Sequence, residues 1–188
     1  MAMRIIGGAS RGLHLTPVGD GDAKAHLRPT SDRVREAIFN LLINGGYGNP
    51  VAGARVLDLF AGTGALGLEA LSRGAATASF VDDGAVAIGL IKRNIGLMRA
   101  EDRTTVIKRD ATRLGDNRGA GQDLVFLDPP YGKGLGEAAL ANTATGWIAP
   151  GAIVVWEESA APKVPPGFDM ADQRRYGDTV VTILKAKA

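Results

Sequence analysis

Cysteine is absent from this chain of 188 residues. Disulfides, thiolate zinc sites and cysteine nucleophiles are therefore excluded. Histidine is almost absent as well: His14 and His26 stand apart and form no ligand-spaced cluster, so no metal is expected. Long apolar runs are also missing. The stretch from Trp147 to Trp156 is short and interrupted by Pro150 and Gly151, which suits a buried strand. Neither a signal peptide nor a membrane span is expected, and a cytoplasmic location follows. No acidic residue precedes Asp20, and the chain shows no internal repeat or low-complexity tract.

What is present is enough for one full core, because 45% of the 188 residues are apolar. The formal net charge is +2 and the pI about 9.0, a mildly basic balance. Residues 1–44 read as an N-terminal extension and residues 45–188 as one sheet domain. In the extension, Arg4 to Ile6 and Leu13 to Thr16 are expected to pair as a hairpin. Arg4, Arg11 and His14 would then present positive charge to phosphates, or form a solvated edge. Gly19 to Ala25 reads as a polar loop. Thr30 or Ser31 caps a helix with Val34, Ile38, Leu41 and Leu42 as its buried stripe. That pattern leaves Arg28, Arg33 and Arg35 at the helix start and on its outer face. Cations there oppose the macrodipole, so either a nearby anion or Asp32 and Glu36 must balance them.

Two motifs carry chemistry. Residues Arg55 to Leu71 read as a buried strand, a glycine turn and an amphipathic helix on which Ala65, Leu68 and Leu71 share a face. Gly62, Gly64 and Gly67 fit G-x-G-x-x-G, which lets a nucleotide cofactor approach backbone at a helix N-terminus. Asp58, just ahead of that turn, would repel a pyrophosphate by about 3 kcal/mol at about 5 Å and an effective dielectric near 20. The same field favours a cation, so S-adenosylmethionine suits the turn better than NAD. Alternatively, Asp58 caps loop N–H groups. Asp82 ends the next strand about 20 residues past Gly62, the spacing of a ribose-binding acid, and Asp83 is its rival for that role. Asp110, a few residues beyond the strand around Thr105 to Ile107, is a candidate acceptor for an adenine amino group.

The second motif is Asp128-Pro129-Pro130-Tyr131, after the apolar run Asp123 to Leu127. Its prolines fix φ and lack N–H donors, so nothing intramolecular is expected to compete for the Asp128 carboxylate or the Pro129 carbonyl. Two stiff acceptors can hold an exocyclic amino group, and Tyr131 offers a face on which a base can stack. Beyond it, Glu137 to Thr145 reads as a helix and Gly151 to Trp156 as a strand ending at Glu157 and Glu158. Pro162 to Gly167 reads as a connection, followed by a hairpin turning near Tyr176-Gly177-Asp178. The sum is an α/β protein, a doubly wound and mostly parallel sheet with an antiparallel C-terminal edge.

The segments Asp58 to Gly64 and Asp128 to Tyr131 together resemble class I methyltransferases that use S-adenosylmethionine on exocyclic amino groups. Arg4 to Gly8, Arg11-Gly12, Arg28 to Asn40 and Arg175 to Thr179 narrow the resemblance to bacterial 16S ribosomal RNA guanine-N2 methyltransferases. It covers nearly the whole chain in order. The resemblance implies a seven-stranded, Rossmann-like sheet with a small N-terminal hairpin and helix extension. It implies Asp58, Phe60, Ala61, Gly62 and Gly64 at the methionine end of the cofactor. Asp82 or Asp83 would hold the ribose, and Asp110 with Ala111 the adenine. Asp128, Pro129, Pro130 and Tyr131 would hold the target base, and Arg4, Arg11, Arg28, Arg33 and Arg35 the RNA. Two departures are Val81 with paired aspartates at the ribose position, and His14 where relatives commonly carry a basic residue.

The implied partner is 16S RNA or the small ribosomal subunit, met by a monomer without metal. The implied reaction is in-line transfer of the methyl to guanine N2, which needs no covalent enzyme intermediate. Pyrimidine C5 methylation would require the missing cysteine. A DNA adenine-N6 methyltransferase would use the same pocket, but no extra duplex-reading domain is evident. A protein-amide methyltransferase more usually carries Asn in place of Asp128, and an NAD-binding module predicts neither Asp58 nor the Asp-Pro-Pro-Tyr turn.

Overall fold

The protein is described by a computed structural model covering residues 3–19, 27, 30–143 and 145–188. In chain order its elements are α1 (Asp32–Asn44), β1 (Arg55–Leu59), α2 (Ala65–Ser72), β2 (Thr77–Asp82), α3 (Ala85–Met98) and β3 (Thr104–Lys108). They continue with β4 (Gln122–Leu127), α4 (Leu135–Thr143), β5 (Ile148–Glu158), β6 (Phe168–Tyr176) and β7 (Thr179–Ala186). The seven strands form one sheet in the order β3-β2-β1-β4-β5-β7-β6. β1 to β5 run parallel to one another, and β7 pairs antiparallel with both β5 and β6. This is the expected doubly wound sheet with an antiparallel edge. No helix among the described residues is long and apolar enough to cross a membrane.

Period-two alternation sorts the central strands onto two cores. Val56, Leu124 and Phe126 face one cluster, which α1, α2 and α3 cover together with Met3, Ile5 and Leu15 of the N-terminal extension. Leu57, Leu59, Val125 and Leu127 face the other, closed by Ala139 and Leu140 of α4 and by Trp147 and Trp156. The extension therefore shares the core of the sheet domain. β1 lies between β2 and β4, so the chain reverses direction across the sheet there. In open α/β sheets that crevice, at the strands' carboxyl ends, is where ligands bind.

Several elements differ from the sequence pattern. The extension makes one antiparallel bridge, Arg4 with His14, flanked by hydrogen bonds from Ile5 N–H to Leu13 and from Leu15 N–H to Met3. β5 begins at Ile148, before Pro150 and Gly151, because a register shift between Gln122 and Leu124 on β4 accommodates both residues. α4 starts at Leu135 and ends at Thr143. The α2 helix is buried on every side, including Glu69, rather than amphipathic.

Arg35 is the main correction. Helical spacing placed it on the outer face of α1, yet its side chain is 0% exposed while Val34 is only partly buried. Its guanidinium is 2.9 Å from Asp32 and 3.4 Å from the buried Glu69, and donates to the carbonyls of Thr30 and Arg4. The Glu69 carboxylate also accepts the N–H groups of Ile6 and Gly7 at 2.9 and 2.8 Å and the Arg73 guanidinium at 2.8 Å. A charge can be buried here because an opposite charge and backbone acceptors surround it.

Candidate active site

β1 and β4 pair in register, Leu59 opposite Leu127, so the segments leaving them emerge side by side. After β1 the backbone turns abruptly: Phe60 adopts φ 57°, a left-handed conformation costing about 1–2 kcal/mol in a residue with a Cβ. Gly64, at φ 78°, then caps α2. Gly67 is needed for a different reason, since a Cβ there would come within 2.4 Å of the Phe80 ring. Without that bulk, the Gly67 N–H reaches the Asp58 carboxylate at 3.0 Å.

Beside this turn opens a pocket of about 400 Å³. Asp58, Phe60, Ala61, Gly62, Asp82 and Asp83 line it together with the whole Asp128-Pro129-Pro130-Tyr131 turn. The structure thus brings most of the predicted cofactor and base-binding residues to one place. Leu27, Thr30, Thr63, Ala65, Leu66 and Lys133 complete the lining, and sequence reasoning had not singled them out for this site.

Five carboxyl groups in and behind the lining define its electrostatics. Asp58 is pushed well above the usual carboxylate range by burial, against the Gly67 hydrogen bond, and further by the charges of Asp128 and Asp82. Asp82 is raised by burial, partly offset by the N–H groups of Gly84 and Gly62, each 2.9 Å away. Asp82 therefore braces the glycine turn itself, and Asp58 the first turn of α2 rather than a loop N–H. Asp83 is exposed on the rim. Glu157, at the end of β5, is held well above its ordinary value by burial and by Asp128, while Thr30 and Arg35 oppose the shift. Among the described residues, Asp58, Asp82, Asp83 and Asp128 line the pocket against one lysine, Lys133, a balance that fits a cationic ligand and disfavours a pyrophosphate.

The Asp-Pro-Pro-Tyr turn is anchored at its C-terminal end. Tyr131 Oη lies 3.2 Å from Thr179 Oγ1, and the Gly132 N–H donates to Glu158 at 3.0 Å. Pro129 is buried and Pro130 exposed. Contrary to the sequence expectation, an intramolecular donor does reach the Asp128 carboxylate: the Thr30 hydroxyl, at 3.1 Å. The prolines remove only local N–H donors, whereas Thr30 comes from a distant segment.

Asp110 and Ala111 are not part of the pocket lining. Asp110 is exposed and caps the short turn Ala111–Arg113, its carboxylate held low by the hydroxyl and N–H of Thr112. Ala111 is buried in the core. Both follow β3, next to β2 and hence beside the Asp82 end of the site. Arg28 lies outside the described residues. Arg4, Arg11 and Arg33 line a second cleft of about 470 Å³, joined by Arg73, which the sequence pattern did not flag. Arg35 belongs to the core, which removes it from any RNA-facing set.

The family described as "Conserved hypothetical protein 95" matches residues 3–185. The chain belongs to this family. Its relatives include Ribosomal RNA small subunit methyltransferase D of Escherichia coli strain K12, 38% identical over 99% of this chain and 91% of that protein. The protein of the same name from Haemophilus influenzae is 35% identical over 87% of this chain and 83% of its own length. The solved structure of yhhF from Escherichia coli superposes with a TM-score of 0.84 at 33% identity, covering 100% of this chain and 99% of that one. Conserved hypothetical protein 95 members are thus similar to this chain across extension, glycine turn and C-terminal hairpin together.

Proposed function

We propose that this protein transfers a methyl group from S-adenosylmethionine to the N2 amino group of a guanine in 16S ribosomal RNA. One observation carries the reading: the Asp128 to Tyr131 turn and the Asp58 glycine turn line a single pocket at the sheet's reversal point. The name shared by the Escherichia coli and Haemophilus influenzae relatives supports small-subunit RNA as the substrate. Asp58, Phe60, Ala61, Gly62 and Gly64 would hold the methionine end of the cofactor, Asp82 or Asp83 the ribose, and Asp110 with Ala111 the adenine. When bound, the cofactor supplies an electrophilic methyl group on a positively charged sulfur.

The protein's own residues position the nucleophile. Asp128 and the Pro129 carbonyl accept from the target amino group and stabilise the positive charge that grows on its nitrogen. Tyr131 offers its ring to the base, which must be unpaired or flipped for its amino group to be reached. Arg4, Arg11 and Arg33, with Arg73 in the same cleft, would take RNA phosphates. The protein would act as a monomer, in the cytoplasm and without a metal.

The test offers labelled S-adenosylmethionine with unmodified small subunits, naked 16S RNA and DNA, followed by nucleoside analysis. Label in N2-methylguanine from the ribosomal substrates is expected. Label in N6-methyladenine, or in DNA alone, would overturn the substrate assignment. Calorimetry showing tight NAD binding and no response to S-adenosylhomocysteine would overturn the cofactor.

A further inference from the structure

At the wall of the pocket, the Thr30 hydroxyl stands between two carboxyl groups. Its oxygen is 3.1 Å from Asp128 Oδ2, and 3.3 and 3.4 Å from the two oxygens of Glu157. A threonine hydroxyl has one hydrogen to give and lone pairs to receive with. With both acids ionised, one carboxylate must face a hydroxyl lone pair inside the protein. With one acid protonated, each of the two carboxyl groups can be joined to the hydroxyl by one donor facing one acceptor.

The environment decides which acid carries that proton. Asp128 lines the open pocket and is only partly buried, whereas Glu157 is 2% exposed and does not line it. Among the described residues, the charged groups that act on Glu157 come from three elements: Asp128 after β4, Asp58 on β1 and Arg35 on α1. Two of the three are acids, and Arg35 is already engaged with Asp32 and Glu69. The Thr30 carbonyl accepts from Arg35 at 3.4 Å, which ties the hydroxyl's position to the start of α1.

We infer that Thr30 and a neutral, protonated Glu157 are positioning residues for methyl transfer. Glu157 donates to Thr30 Oγ1, and the Thr30 hydroxyl donates to Asp128 Oδ2, fixing that carboxylate toward the target amine. The inference rests on the proposed role of Asp128 as the acceptor of that amine. It adds two residues to the site, one of them outside the pocket.

The experiment measures single-turnover methyl transfer to unmodified small subunits, S-adenosylhomocysteine affinity and melting temperature for a set of variants. Thr30→Val should slow transfer by about tenfold to a hundredfold, leave S-adenosylhomocysteine affinity within about twofold, and recover in Thr30→Ser. Glu157→Gln keeps a neutral donor and should stay within about threefold of wild type, while Glu157→Ala should fall with Thr30→Val. As pH rises through the raised Glu157 value the wild type should slow, because the Thr30 hydrogen is then contested by two anions. Glu157→Gln should lack that alkaline loss. A Glu157→Gln protein as slow as Glu157→Ala, or a Thr30→Val protein at the wild-type rate with its fold intact, would overturn the inference. Asp128→Ala in the same assay separates the two readings: if it still transfers methyl, the role of Asp128 itself fails, whatever the Thr30 and Glu157 variants do.

Discussion

Among the described residues, burial and two neighbouring acids govern the titration of Asp58. Its carboxyl is raised in the fold by burial and by Asp128 and Asp82. The stabilisation from holding that proton is complete below the ordinary carboxylate range and is lost as pH rises through the raised value. Asparagine at this position can still accept from Gly67 and has no proton to lose. Thermal melts of the ligand-free protein should therefore show Asp58→Asn level with wild type near about pH 4 and more stable near about pH 8. The same change should weaken S-adenosylmethionine by about tenfold or more, and S-adenosylhomocysteine less, since the latter has lost the sulfonium charge. Asp128 serves a different step. Asp128→Ala should retain cofactor affinity by calorimetry while transfer falls by about 10²–10³-fold. Equal loss of both would assign Asp128 to the cofactor instead.

The helices are held less by periodicity than by what reaches them from elsewhere. In α1, Ile38, Leu41 and Leu42 were legible as core, but Arg35 was not, because its partners Glu69 and Arg4 come from other segments. Arg35→Met should cost about 3–5 kcal/mol in denaturant unfolding, since Glu69 would stay buried with part of its compensation removed. Arg33→Ala, on the exposed face of the same helix, should stay within about 0.5 kcal/mol. In α2, the glycine pattern pointed to a cofactor approaching the backbone, but Gly67 is not part of the pocket lining and what packs against it is Phe80 of β2. Gly67→Ala should destabilise by about 1–3 kcal/mol through overpacking against that ring. Full stability in that variant would mean that Phe80 yields without cost.

Across the whole molecule, the mostly parallel sheet and the pocket were legible from motifs at the ends of buried strands: Asp58 after Val56 and Leu57, Asp82 after Val81, Asp128 after Leu127, while the strand order came only from the fold. Spacing along one chain revealed those ends because each motif is local. Spacing did not reveal Thr30, Glu157 or Arg73, whose roles depend on segments brought together only by the fold. The basic face shows the same limit. A net charge of +2 gives little overall attraction for RNA, so recognition must rest on where the charges gather. Arg4, Arg11, Arg33 and Arg73 gather in one cleft, on the extension, α1 and the end of α2, with Asp32 and Glu36 among them. If each arginine displaces counterions from an RNA phosphate, log affinity falls linearly with log salt, by about 0.7 per contact for single-stranded RNA. Filter binding to 16S RNA across a salt series should then show Arg11→Ala and Arg33→Ala each flattening the slope by about that amount. Cofactor affinity should not change in either variant. An unaltered slope in both would move the RNA interface off this cleft and leave its arginines a structural role only.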